Sequence, residues 1–203
     1  AMKLVLLSAL MLAALPAAAA NTAAVGQPAP AFSVTDTGGK AVSLADFKGK
    51  TVVLEWVNPG CPYVRKHYDS ANMQATQKGA TGGGLVWLAV NSTAQGHSDY
   101  KKPADMAAWL QQQKASATAT LMDSDGKVGK AYGARTTPHM YIVDAKGTLA
   151  YAGGIDDKPT SNPADVKTAK NHVNAALADI AAGKPVAQAA TRPYGCSVKY
   201  SDG

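Results

Sequence analysis

The chain has 203 residues, 46% of them hydrophobic, a formal charge of +6 and only two cysteines. That is enough chain for one domain with its own core, so folding does not require a disulfide staple. The lysines are scattered and no basic stripe is interleaved with aromatics, which argues against a nucleic-acid partner.

Residues 1–20 read as an export signal. Lys3 supplies the positive start, Leu4 to Leu15 an apolar run, and Ala18-Ala19-Ala20 the small residues that a cleavage site needs. The run is short for a membrane span and lacks a charged stop-transfer flank, so no stable span is expected after cleavage. The mature domain is expected over residues 21–203, exported to a periplasm or fully secreted. In such a compartment a disulfide persists, and two cysteines allow one intramolecular connectivity.

A short strand at 31–35 and its return at 41–44 are joined by the turn Asp36-Thr37-Gly38-Gly39-Lys40. Residues 51–57, rich in β-branched side chains, read as a central strand. A helix is predicted from Pro62 to about Gln77, ended by the glycines at 79–84. A second buried strand (85–90), a helix (103–114), a short strand (118–122) and a short helix (127–132) stopped by Gly133 follow. Strands at 140–143 and 148–151 flank the hairpin signal Asp144-Ala145-Lys146-Gly147. The loop at 153–164 reads either as a functional rim or as a loose connection. An Ala-rich helix is predicted over 165–182, with Gly183 at its end. Residues 184–203 form an extended tail. The order predicts an α/β domain with a mixed central sheet flanked by helices.

Cys61 falls where the central strand runs into a helix. A thiol there faces unpaired N–H groups and the positive end of the helix dipole, and both favour the reactive thiolate. A buried inert thiol and half of a static bridge are the alternatives. Cys196 lies in the tail as the second sulfur, either a resolving thiol, a permanent staple or a free thiol. The four histidines (67, 97, 139 and 172) show no metal-ligand spacing, and no metal or other cofactor is expected. Trp87, Trp109 and Tyr132 are expected in the core.

Four stretches carry a resemblance. They are Phe47-Lys48-Gly49-Lys50, Gly60-Cys61-Pro62-Tyr63-Val64, the run Ala131-Tyr132-Gly133-Ala134-Arg135-Thr136-Thr137-Pro138, and Tyr194-Gly195-Cys196-Ser197-Val198-Lys199-Tyr200. In this order they resemble the thioredoxin superfamily, and within it the peroxiredoxin-like redoxin branch of the alkyl hydroperoxide reductase and thiol-specific antioxidant type. The resemblance implies a thioredoxin-like fold with an N-terminal β-hairpin. It implies a cis bond before Pro138, with Thr137 and His139 lining the rim where an extended substrate pairs. It also implies a buried acid at Glu55 that relays protons. Its C-x-x-C slot holds Val64 here, and its peroxide-holding Thr or Ser is replaced by Asn58. Arg65, one turn past Cys61, is read either as support for a thiolate or as a surface cation. His67 falls off the Cys61 face by the helix period and is expected at the surface.

Three functions follow as expectations. The first is thiol–disulfide exchange, with Cys61 as nucleophile, Cys196 resolving and an external thiol donor resetting the pair. The second is peroxide reduction. The third is a non-catalytic module locked by a Cys61–Cys196 bridge.

Overall fold

The strand Val52–Trp56 is buried along its whole length, so both faces of the sheet must be covered. The computed structural model describes residues 22–202, and the expected signal at 1–20 lies outside them. In chain order the elements are β1 (Ser33–Thr35), β2 (Ala41–Ser43), β3 (Val52–Trp56), α1 (Pro62–Asp69), α2 (Asn72–Gly82), β4 (Val86–Asn91), α3 (Pro103–Gln112), β5 (Ala119–Met122) and α4 (Lys127–Tyr132). Then come β6 (Thr136–Thr137), β7 (His139–Val143), β8 (Leu149–Gly153), α5 (His172–Ala181) and β9 (Cys196–Ser197).

The central sheet has the order β5-β4-β3-β7-β8. β3, β4 and β5 run parallel, while β7 and β8 are antiparallel additions. Alternation along β3 divides the core. Val53 faces one layer with Val64, Met73, Met106 and Val173 from the helices. Val52, Leu54 and Trp56 face the other, against Val42 of the hairpin and Val128 and Tyr132 of α4. Trp87 and Tyr132 are buried as expected, and Trp109 packs its ring edge-on against Tyr68. This is the thioredoxin-like arrangement that the resemblance implied. Among the described residues no helix is long and apolar enough to cross a membrane.

Two helices differ from the sequence reading. The helix expected from Pro62 to Gln77 breaks at Ala71, whose φ of 60° is left-handed, and restarts as α2 through Gly79 to Gly82. The break brings the Asn72 amide to 2.9 Å from Nδ1 of His67, a local contact that the helix period does not encode. The helix expected from residue 165 instead begins at His172, after a 3-10 turn at Pro163–Lys167. Asn171 decides this start: its side chain caps the Asn174 amide at 2.9 Å and donates to Thr76 at 3.0 Å.

Candidate active site

Cys61 is the N-cap of α1, with extended backbone at φ −83° and ψ 123° and Pro62 in the first helical turn. The approach loop is fixed by Asn58. Its carbonyl oxygen accepts from the Gly60 amide at 2.9 Å, its backbone oxygen from the Cys61 amide at 3.0 Å, and its side-chain amide donates to Asp99 at 2.9 Å. The Asp99 carboxylate lies so close over Gly60 that a Cβ there would meet it at 3.0 Å. Asn58 is therefore buried and engaged at both ends of its amide.

Across from Cys61 the Thr137–Pro138 bond is cis. The Thr137 carbonyl oxygen lies 3.1 Å from the Cys61 sulfur. The tail enters this corner. β9 pairs antiparallel with β6, setting Cys196 opposite Thr137 and Ser197 opposite Thr136. Cys61 and Cys196 form a disulfide across 135 positions, with their Cα atoms 6.0 Å apart. The backbone edge next to the cis proline, where a substrate strand was expected, is thus taken by the chain's own tail. Cys61 is 1% exposed, whereas Cys196 is half-buried. The tail is further held by Val198, Lys199 and Tyr200, which bond the backbone of Arg135, Ala94 and Ala134.

Glu55 is fully buried in β3. It accepts from Tyr68 at 2.7 Å, Trp87 at 2.8 Å and Gln77 at 3.0 Å. Burial raises its pKa, and the three donors oppose that shift. None of its hydrogen bonds among the described residues runs to a sulfur. Tyr68 does connect it to α1, the helix that carries Cys61. Arg65 is exposed.

The sequence reading missed a buried polar cluster on the last turns of α1. Lys66 and His67 are both buried, which corrects the surface placement of His67. Lys66 Nζ donates to the Lys158 carbonyl at 2.6 Å and to Tyr194 Oη at 3.1 Å, and lies 3.8 Å from Asp156 Oδ2. His67 Nε2 lies 3.0 Å from the same phenol oxygen, which itself donates to Asp156 Oδ1 at 2.5 Å. The 153–164 loop, left open between rim and loose connection, supplies Asp156 and is packed at Ile155 and Asp156. The tail supplies Tyr194. A charged pair followed by histidine after Cys-Pro-Tyr-Val was the available signal, but nothing local shows what covers it.

Burial holds His67 at a pKa of about 4, against partial opposition from Asp156; burial and the Arg135 charge hold His139 near 4 as well. Both rings are neutral when folded and bind protons on unfolding below pH 6.5. Stability contributed by the neutral rings is therefore present above pH 6.5 and is lost as pH falls towards 4. Urea melts across this window are expected to lose about 1.4 kcal/mol per pH unit for each histidine. Substitution of His139 by Gln should remove one histidine's share of the slope, and an unchanged slope would contradict this assignment.

Residues 25–152 match the AhpC/TSA family. The chain is 27% identical over 125 residues to the thiol-disulfide oxidoreductase ResA of Bacillus thuringiensis subsp. konkukian, a match covering 62% of this chain and 66% of that protein. The chain thus spans just under two thirds of the length of that relative. It is 26% identical over 141 residues to the thiol:disulfide interchange protein DsbE of Pseudomonas aeruginosa, covering 68% of this chain and 71% of the relative. A crystal structure of a hypothetical protein from Sinorhizobium meliloti 1021 superposes with a TM-score of 0.74 at 25% identity, over 90% of this chain and 98% of that one.

Proposed function

The chain belongs to the AhpC/TSA family, and from that premise we propose that it is an exported thiol–disulfide oxidoreductase whose redox pair is Cys61 and Cys196. One observation carries the reading: the chain's two cysteines, 135 positions apart, meet at the N-terminus of a helix beside a cis proline. The names of the relatives, a thiol-disulfide oxidoreductase and a thiol:disulfide interchange protein, support it.

In the reduced protein the unpaired amides at the start of α1 favour the Cys61 thiolate. The thiolate attacks a substrate disulfide R–S–S–R′, forming Cys61–S–S–R and releasing R′–S⁻. The Cys196 thiolate then attacks the Cys61 sulfur, forming Cys61–S–S–Cys196 and releasing R–S⁻. An external dithiol resets the pair, its own two thiols being oxidised to a disulfide; no cofactor takes part. The same steps run backwards oxidise a protein dithiol, and the potential of the partner sets the direction. Glu55 supplies a buried site for the proton that leaves Cys61, since desolvation raises its affinity for it. Thr137 and Pro138 present the backbone edge on which an extended substrate pairs once the tail has moved away. Asn58 acts on the substrate indirectly, by fixing the loop before Cys61.

Peroxide reduction is the weaker reading. Asn58 stands where a peroxide would need a hydroxyl, and its amide is already engaged by Gly60 and Asp99. The test is the equilibrium of the protein with dithiol buffers of graded potential, read by thiol alkylation and mass. An exchange enzyme should interconvert with a potential above about −300 mV, whereas a pair that stays oxidised below that range is a structural staple.

A further inference from the structure

Tyr194 precedes Cys196 by two residues, and its hydroxyl lies at the centre of the cluster on α1. The Asn72 amide donates to His67 Nδ1, so the neutral ring carries its proton on Nε2 and donates it to Tyr194 Oη. Lys66 donates to the same oxygen, and the phenol donates to Asp156 Oδ1. One donor and two acceptor sites are a hydroxyl's full complement, and all are used. The ring packs edge-on against Tyr63, with centroids 5.9 Å apart, and lies under the Lys66 ammonium at 5.1 Å. The Lys66 and Asp156 side chains are at most 1% exposed. Asp156 Oδ1 also accepts from the Lys158 amide at 3.0 Å, but Oδ2 has no hydrogen-bond partner among the described residues and faces the Lys66 charge at 3.8 Å, so Tyr194 supplies the carboxylate's one side-chain hydrogen bond among them. A buried charged cluster of this kind is costly unless each member is paired. Two of its members sit on the helix that presents Cys61, and the residue that completes it sits beside Cys196.

We propose that Lys66, His67 and Asp156 form a receptor for the Tyr194 phenol, and that Tyr194 is a positioning residue which holds Cys196 beside Cys61 without needing the disulfide. This rests on the exchange reading. There it sets the effective concentration of the resolving thiol in the step that converts Cys61–S–S–R and Cys196–S⁻ into Cys61–S–S–Cys196 and R–S⁻. It also makes the tail an occupant that competes with an incoming strand for the Thr137 edge, since the anchored tail pairs there through β9.

Two measurements test it. The first is the equilibrium constant of the Cys61–Cys196 disulfide against glutathione in the wild-type chain and in Tyr194→Phe, which keeps the ring and removes the hydroxyl. The effective concentration of Cys196 is expected to fall at least about tenfold, which makes the pair about 30 mV easier to reduce. An unchanged constant overturns the proposal, because the Val198, Lys199 and Tyr200 contacts would then suffice. The second covers the case in which Tyr194→Phe does not fold. In the Cys61→Ser/Cys196→Ser chain, hydrogen exchange reads the Thr191 and Val198 amides, which donate to Ala152 and Arg135 in the docked tail. Protection that is retained in this chain and lost when Asp156→Asn is added supports the receptor; free exchange of both amides without Asp156→Asn, or protection that survives it, overturns it. This measurement involves no redox chemistry, so a staple that never cycles would defeat the exchange reading and leave the receptor independently tested.

Discussion

Gly195→Ala is expected to leave the domain folded and to take Cys196 out of reach of Cys61. Gly195 has φ +140°, a conformation that residues with a side chain rarely adopt. A Cβ there would also run into the Thr137 carbonyl, the group against which Cys196 pairs. That neighbour is backbone within the β6–β9 pair, so it has little freedom to move aside without breaking the pairing. Strain of this kind costs on the order of 2–3 kcal/mol, equivalent to about a 30- to 150-fold fall in the population with the tail docked. The core does not depend on the tail for its sheet order, so circular dichroism and the unfolding slope should hardly change. The measurement is the yield and rate of Cys61–Cys196 formation after diamide, read by mass mapping. Wild-type speed in the variant would mean that the β6–β9 pairing plays no part in closing the bond.

The second large effect separates the two sulfurs. Cys61→Ser and Cys196→Ala remove the same bond, which closes a loop of 135 positions and is worth about 5 kcal/mol in a chain-entropy account. Their losses of stability should therefore be similar, and any difference between them is chemistry. Cys61→Ser removes the attacking atom and is expected to lower disulfide reductase turnover at least about a thousandfold. Cys196→Ala keeps the nucleophile and loses only resolution, so it should complete the first half of the reaction and stop.

Most of the architecture was legible because local signals and tertiary structure agreed. Val52–Trp56 is β-rich and doubly buried, Asp144 to Gly147 makes the hairpin, and Lys127–Tyr132 ends where Gly133 turns left-handed. The two helix errors share one cause. Ala71 and the 165–171 segment carry no strong breaker, and their departures from helix go with side-chain contacts that helix periodicity does not show: Asn72 to the His67 ring five positions back, and Asn171 to the distant Thr76. Cys61 was legible from the strand-to-helix junction, Cys196 as the one other cysteine, and Thr137 and Pro138 from the resemblance; the structure brings the four together. Lys66, His67, Asp156 and Tyr194 were not found, because helix periodicity tells which face a residue occupies and not what covers that face. Here the cover comes from residues about 90 and about 130 positions away, and the clue is an interaction between segments. Asp99 escaped for the same reason: only the fold lays its carboxylate over Gly60.

The central claim is that residue 61 is a nucleophile that the tail sulfur relieves, and trapping tests it most directly. Cys196→Ala is reduced, mixed with an oxidised protein substrate and quenched by alkylation, and the adducts are mapped by mass. The expected product is a stable mixed disulfide through Cys61, absent from Cys61→Ser and short-lived in the wild-type chain. An alkylatable Cys61 that forms no such adduct with any disulfide offered would contradict the claim and leave Cys61–Cys196 as a fastening of the tail.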